Sequence, residues 1–243
     1  MEFSEPINRK IYMLWLGDEQ MNETRQNALI GMPDNMVLIT KDNLDDFLVE
    51  GHPLHPAYNM LSTVHKADYL RCYLMHHHGG GYSDMKKTDL DWISAFDKID
   101  SDLSIYAMGT KTSLGHTYGG FEEWSDDVKS VVIKNVDRLF LMGWFVCRRM
   151  SPFTTDWYNE LNRKLDHFLP RLKESPAIYT RECFHPRLGI ALSRPEWEGI
   201  PVTEYTHYPV SWNILLSQIL YPLQVKYIDH IDNTTMGSML GKF

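Results

Sequence analysis

HKADYLRCYLMHHHGGGYSDMKK, residues His65 to Lys87, is the stretch whose reading decides the fold. Helical spacing runs over Ser62–His78 and stops at Gly79, Gly80 and Gly81. With Val64 as the zero of a helical period, Asp68 falls at about +40° and Arg71 at about −20°. Val64, Ala67 and Met75 share that sector, so a carboxylate and a guanidinium project from the apolar face. Charges there are costly unless paired or bound to something. Spacing alone favours the plainer reading, an internal i,i+3 ion pair that locks the helix to its neighbours. The second half of the stretch shifts the balance. Its glycines permit a tight reversal and close backbone approach to a ligand, and a short strand, Tyr82–Ser83, delivers Asp84 at its end. Ligands of open α/β sheets gather at the carboxyl ends of strands. A carboxylate in that position suits a divalent cation bridging a diphosphate.

Outward from this stretch, the first hundred residues alternate strand and helix. Lys10–Leu16 (KIYMLWL) is a buried strand ended by Gly17, and Glu23–Ile30 a helix that stops before Gly31 and Pro33. Asn35–Thr40 is a second strand, after which Asp42 is expected to cap a short helix through Val49. Leu103–Met108 and Leu139–Val146 read as strands. A helix starts at Ser151–Pro152 and runs to Phe168, ahead of Pro170. Trp212–Leu220 reads as a further helix and Val225–Ile228 as a last strand. The sum is an α/β fold with a mixed, mostly parallel sheet flanked by helices. No linker or repeat divides the chain, which predicts one domain over 1–243.

The chain has 243 residues, 43% of them hydrophobic and 12% aromatic, enough for a packed core. Its net charge of −8 argues against a protein that grips nucleic acid or an anionic membrane. Cys72, Cys147 and Cys183 are odd in number and widely spaced, which suits reduced thiols in a cytoplasmic setting. The N-terminus is polar, and the longest apolar run, Leu139–Cys147, is too short to cross a bilayer, so no transmembrane segment is expected.

The order A-D-Y-L-R (67–71), then G-G-G-Y-S-D (79–84), resembles the sugar-nucleotide-binding core of GT-A-fold glycosyltransferases. It is most similar to the capsular polysaccharide synthesis proteins and the family 32 mannosyltransferase-like enzymes. Lys10–Gly17 (KIYMLWLG) resembles the strand with which that family opens, and the two matches cover about the first 90 residues. The resemblance implies a GT-A-like single domain, with 1–100 binding the donor and 101–243 the acceptor. It implies a hexosyltransferase that moves a sugar from a nucleoside diphosphate sugar, UDP-linked, to an oligosaccharide or polysaccharide hydroxyl with retention. Trp15 would stack on the base, Thr40 and Asp42 lie near base or ribose, and Asp68 contact ribose or sugar hydroxyls. Arg71 would hold a phosphate or sugar oxygen, and Asp84 a manganese or magnesium ion.

One departure stands out. The family's D-x-D is Asp84-Met85-Lys86 here, and an ammonium ligates no metal. Either Asp84 keeps the metal with help from His207, Asp229 or His230, or Lys86 itself neutralises the diphosphate. Other features read as structural. His76, His77 and His78 suit the helix dipole at its C-terminal end, Gly119-Gly120 reads as a turn, and Asp89 and Asp91 as helix caps. Arg148-Arg149 is either a solvated edge or a contact to an acceptor phosphate. Trp144, Trp157 and Trp212 are candidates for an acceptor groove or for core. Two other functions compete with the transferase: a non-catalytic nucleotide-sugar or glycan-binding protein, and a scaffold subunit of a polysaccharide-assembly complex. The scaffold reading predicts a large exposed apolar patch on the C-terminal helices.

Overall fold

The computed structural model describes residues 5–30, 34–117, 124–195 and 204–237. In chain order the elements are β1 (Ile11–Trp15), α1 (Glu23–Leu29), β2 (Met36–Thr40), α2 (Thr63–His77), β3 (Gly80–Ser83) and α3 (Trp92–Ser101). They continue with β4 (Ala107–Lys111), a four-residue α4 (Leu114–Thr117), α5 (Asp126–Asn135), β5 (Phe140–Cys147) and α6 (Pro152–Glu174). Then come β6 (Cys183–His185), β7 (Ile190–Leu192), β8 (Tyr205–Thr206), α7 (Ser217–Lys226) and β9 (Ile231–Asp232).

Six strands form one sheet in the order β2-β1-β3-β5-β4-β9. β1 is parallel to both β2 and β3, and β4 to β9, while β5 lies antiparallel between β3 and β4. This is the mixed, mostly parallel sheet of an α/β fold. Alternation along β1 sends Tyr12 and Leu14 into the core beneath α2, α6 and α7, and Ile11 to the opposite face. There Trp92, Phe96 and Ile99 of α3 pack against Met108, Trp144 and Val146. β6, β7 and β8 make a separate three-stranded antiparallel sheet.

Two glycines make the link from α2 to β3 possible. Gly79 and Gly80 have φ of +63° and +95°, and a Cβ on Gly80 would lie 2.6 Å from the Lys10 carbonyl oxygen. Only glycine lets β3 turn in beside β1 at this spacing. The register Ile11↔Gly81 and Tyr12↔Tyr82 follows, and it carries Trp15 and Asp84 to the same edge of the sheet.

Several local expectations need correction. Asp42 caps nothing: a 3-10 turn at Leu44–Phe47 follows Asn43, whose Oδ1 accepts from the Thr40 N–H at 2.7 Å. The strand expected from Leu103 begins at Ala107. α6 continues through Pro170 to Glu174, since Leu172 beyond the proline is fully buried and its packing offsets the lost backbone bond. The helix expected at Trp212–Leu220 starts at Ser217 and runs through Pro222, so Val225 belongs to it, and the last strand is β9. Gly119-Gly120 lies outside the described residues.

Candidate functional site

At the carboxyl edge of β1 and β3 lies a cleft of about 460 Å³, within the size range of small-molecule sites. α2 supplies its inner wall with Val64, Ala67, Asp68 and Arg71, and the β3 end supplies Tyr82, Asp84, Met85 and Lys86. Met142 and Gly143 of β5 and Trp15 of β1 complete the floor, while Arg25, Arg181 and Trp212 close the sides. A second hollow of about 290 Å³ adjoins it, sharing Trp15, Arg25 and Arg181 and adding Gly17, Glu19 and Asn22.

Arg71 organises the centre. Its Nη1 donates to the Met142 carbonyl at 2.5 Å, and its Nη2 stands 3.5 Å from Asp68 and 3.6 Å from Asp84. Its guanidinium lies 4.2 Å from the ring centroid of Tyr82, whose hydroxyl donates to Asp84 Oδ1 at 3.2 Å. The Arg71 Nε is buried without a partner. The expected i,i+3 pair therefore exists, but its long separation and the shared Asp84 make it part of the cleft rather than a closed lock.

Burial pushes the Asp68 carboxyl up to about 7; Arg71 pulls it down and Asp84 pushes it further up. Burial works against the Arg71 cation, yet Tyr82, Asp84 and Asp68 outweigh it and hold its pKa above the ordinary value. Asp84 is fixed from behind. Its N–H donates to the Gly143 carbonyl at 2.7 Å, and a Cβ on Gly143 would lie 3.0 Å from its Oδ2. Lys86 follows, its ammonium 5.3 Å from the Trp144 ring centroid. The lining charges are Arg25, Arg71, Lys86 and Arg181 against Asp68 and Asp84. A chain of net charge −8 thus concentrates four cations against two carboxylates in one cleft.

Trp15, Asp68, Arg71, Asp84 and Lys86 all line this cleft. Thr40 pairs with Trp15 in the β1–β2 register but, like the exposed Asp42, lines neither hollow. Arg25, Arg181, Tyr82 and Gly143 went unassigned in the sequence. Arg25 donates to the Met85 carbonyl and so ties α1 to the motif. Only Tyr82 had a local signal, lying inside the Gly-Gly-Gly-Tyr-Ser-Asp run. The arginines reach the cleft by long-range packing.

The candidate metal helpers lie elsewhere. Asp229 pairs with Arg138 at 2.8 Å, and His230 bonds the Ser104 carbonyl at 2.8 Å and stacks on Tyr106. Both precede β9 at the opposite end of the sheet, and His207 lines neither hollow. Among the described residues no three His, Cys, Asp or Glu side chains converge as ligands. Asp84 Oδ1 is engaged by Tyr82 and faces Arg71, while Lys86 holds the place of the second carboxylate. These residues do not fit a divalent-cation site.

The other side features resolve as packing. His76 stacks on Tyr158 with centroids 4.7 Å apart, and His77 packs on Tyr73 at 4.4 Å. Burial lowers both imidazoles, His77 to about 4, so a charge–dipole role is replaced by neutral aromatic packing. Arg148 donates to the Ile99 and Ile105 carbonyls and Arg149 pairs with Glu5, both at the end of β5 away from Asp84. Trp144 and Trp157 are core, and Trp212 alone of the three lines the cleft. Asp91 caps α3, accepting from the Ser94 N–H at 2.9 Å.

Fold and cleft together define an α/β protein with a cation-rich hollow at its strand ends. Residues 18–101 match the family model described as glycosyltransferase sugar-binding region containing DXD motif. The matched span runs from the end of β1 through α3 and contains Arg25, Asp68, Arg71, Asp84 and Lys86. The match covers under half of the chain and is a likeness, over that span, to a glycosyltransferase sugar-binding region. No curated protein and no solved structure matches the chain. No helix among the described residues is long and apolar enough to cross a membrane.

Proposed function

We propose that the chain is a single-domain hexosyltransferase of polysaccharide biosynthesis. It would take a nucleoside diphosphate sugar, UDP-linked, and pass the sugar with retention to a glycan hydroxyl. The observation that carries this reading is the excess of cations in the strand-end cleft, three of which, Arg25, Arg71 and Lys86, lie in the segment that matches the family model. In the step itself the bond from the anomeric carbon to the β-phosphate oxygen breaks, and its electron pair leaves with the diphosphate. The acceptor oxygen bonds to the anomeric carbon, and its proton passes to the departing phosphate, so no separate protein base is named. Arg71, Lys86 and Arg25 stabilise the charge that develops on the diphosphate. Trp15 stacks on the base, with Thr40 and Asp42 at the margin. Asp68 receives ribose or sugar hydroxyls, and Asp84 orients Arg71. A manganese or magnesium ion at Asp84 is the expectation that the resemblance carries; the residues present do not complete a site for it, and no step uses one. Because Arg181 and Trp212 also line the cleft, the reading gives the 101–243 half a share in donor binding beside its acceptor role.

The test is release of nucleoside diphosphate from a panel of UDP-, GDP- and CDP-sugars, with and without oligosaccharide acceptors. Turnover of one donor, reduced about a hundredfold or more in Arg71→Ala, is the expected result. Tight donor binding with no turnover under any condition would make the chain a non-catalytic binder. The scaffold reading has little support: among the described residues, none of the exposed large apolar side chains lies on α6 or α7.

A further inference from the structure

Resting on the nucleotide-sugar reading, we propose that this cleft holds its diphosphate without a divalent cation, with Lys86 and its neighbouring arginines in the metal's place. Three observations converge. Lys86 stands two residues beyond Asp84, at the place of the second carboxylate in the D-x-D pattern of the matched family model. Asp84 has one oxygen engaged: Tyr82 donates to its Oδ1 and Arg71 faces the same oxygen at 3.6 Å, while Gly143 is packed close to Oδ2. Finally, among the described residues Arg25, Arg71, Lys86 and Arg181 line a hollow that carries two carboxylates, Asp68 and Asp84.

A diphosphate entering such a site would meet four cationic side chains along its walls, and the positive excess of that lining works against a nearby divalent ion. The arginines offer planar forks and Lys86 a compact point charge, the two geometries that phosphate oxygens accept. Arg25 has a double part, since its bond to the Met85 carbonyl also holds the Asp84–Lys86 turn against α1. The carboxylate at 84 then acts as a positioning group for Arg71, not as a ligand.

Calorimetric titration of the whole chain with UDP, GDP and CDP, each in EDTA and in MnCl₂, tests this directly. The expected result is binding of one nucleotide with affinities in EDTA and Mn²⁺ that agree within about twofold. Lys86→Met should weaken that binding roughly tenfold to a hundredfold, and Lys86→Arg should restore most of it. Lys86→Asp, which rebuilds the second carboxylate, should make binding depend on Mn²⁺; its far-ultraviolet circular dichroism reports whether it has folded. Parent protein that binds UDP only with Mn²⁺ overturns metal independence and leaves the donor reading standing. Folded parent that binds none of the three nucleotides, with or without Mn²⁺, overturns both.

Discussion

Gly143 leaves the space that the Asp84 carboxylate occupies, and a methyl group there would press on Oδ2 from 3.0 Å. Gly143→Ala should therefore tilt Asp84 and, through it, Arg71. Donor turnover is expected to fall about tenfold or more, because misplacing a positioning group by a fraction of an ångström is costly. Unfolding free energy should stay within about 1 kcal/mol of the parent. Asp68 gives a second residue-level prediction. Its carboxyl ordinarily titrates at 3.8 and stands at about 7 in the fold. Below pH 4 both states hold the proton; above pH 7 neither does; between them the folded state holds it more. Stability from this group is thus fully present at low pH and is lost as pH rises toward 7. His65 and His77, both lowered to about 4 by burial, act oppositely from pH 6.5 downward. The informative quantity is therefore the difference between Asp68→Asn and the parent in urea midpoints from pH 4 to 8. That difference should change by at most about 1.4 kcal/mol per pH unit, in favour of the variant as pH rises. A pH-independent difference would remove the buried-carboxyl account. Asp68, Arg71 and Asp84 were legible in sequence because a charge on an apolar helix face and a carboxylate after a glycine turn are local anomalies. Arg25 and Arg181 were not, since an arginine on a short helix or in a loop looks like ordinary solvated surface.

The turn between α2 and β3 is where one element fixes another. Gly80→Ala puts a Cβ 2.6 Å from the Lys10 carbonyl at a φ of +95°, and should cost about 3 kcal/mol or more by displacing β3 from β1. Gly51→Ala, at a φ of +77° with nothing within 4 Å, should cost only about 1–2 kcal/mol. Equal denaturation midpoints for the two variants would contradict the packing explanation. The same local logic explains which elements could be read in advance. β1, α1, β2 and α2 each lie within a residue or two of their expected bounds, because Gly or Pro punctuates them and their apolar spacing is regular. Further on, two- and three-residue strands such as β6, β7 and β8 are too short to show any period. Val225–Ile228 has strand-forming side chains, but α7 buries Ile219, Leu220, Tyr221 and Gln224 along one helix and draws Val225 into it. Packing outweighed propensity there, as it did at Pro170.

Over the whole molecule, the charge pattern separates function from fold. A net charge of −8 disfavours polyanionic partners, while the cleft gathers four cations that the proposed function assigns to one small anion. Affinity for a nucleoside diphosphate should accordingly weaken as ionic strength rises, though less than an exposed site would, because Arg71 is buried. The central claim is that this hollow receives a nucleoside diphosphate. Thermal unfolding of the purified chain with UDP, GDP or CDP tests it most directly, since a ligand that binds only the folded state must raise its apparent stability. At a hundredfold excess over the dissociation constant, the right nucleotide should add about 2.7 kcal/mol, or roughly 5–10 °C in Tm, and Arg71→Ala should lose that shift. A parent protein whose Tm moves with none of the three nucleotides would contradict the account.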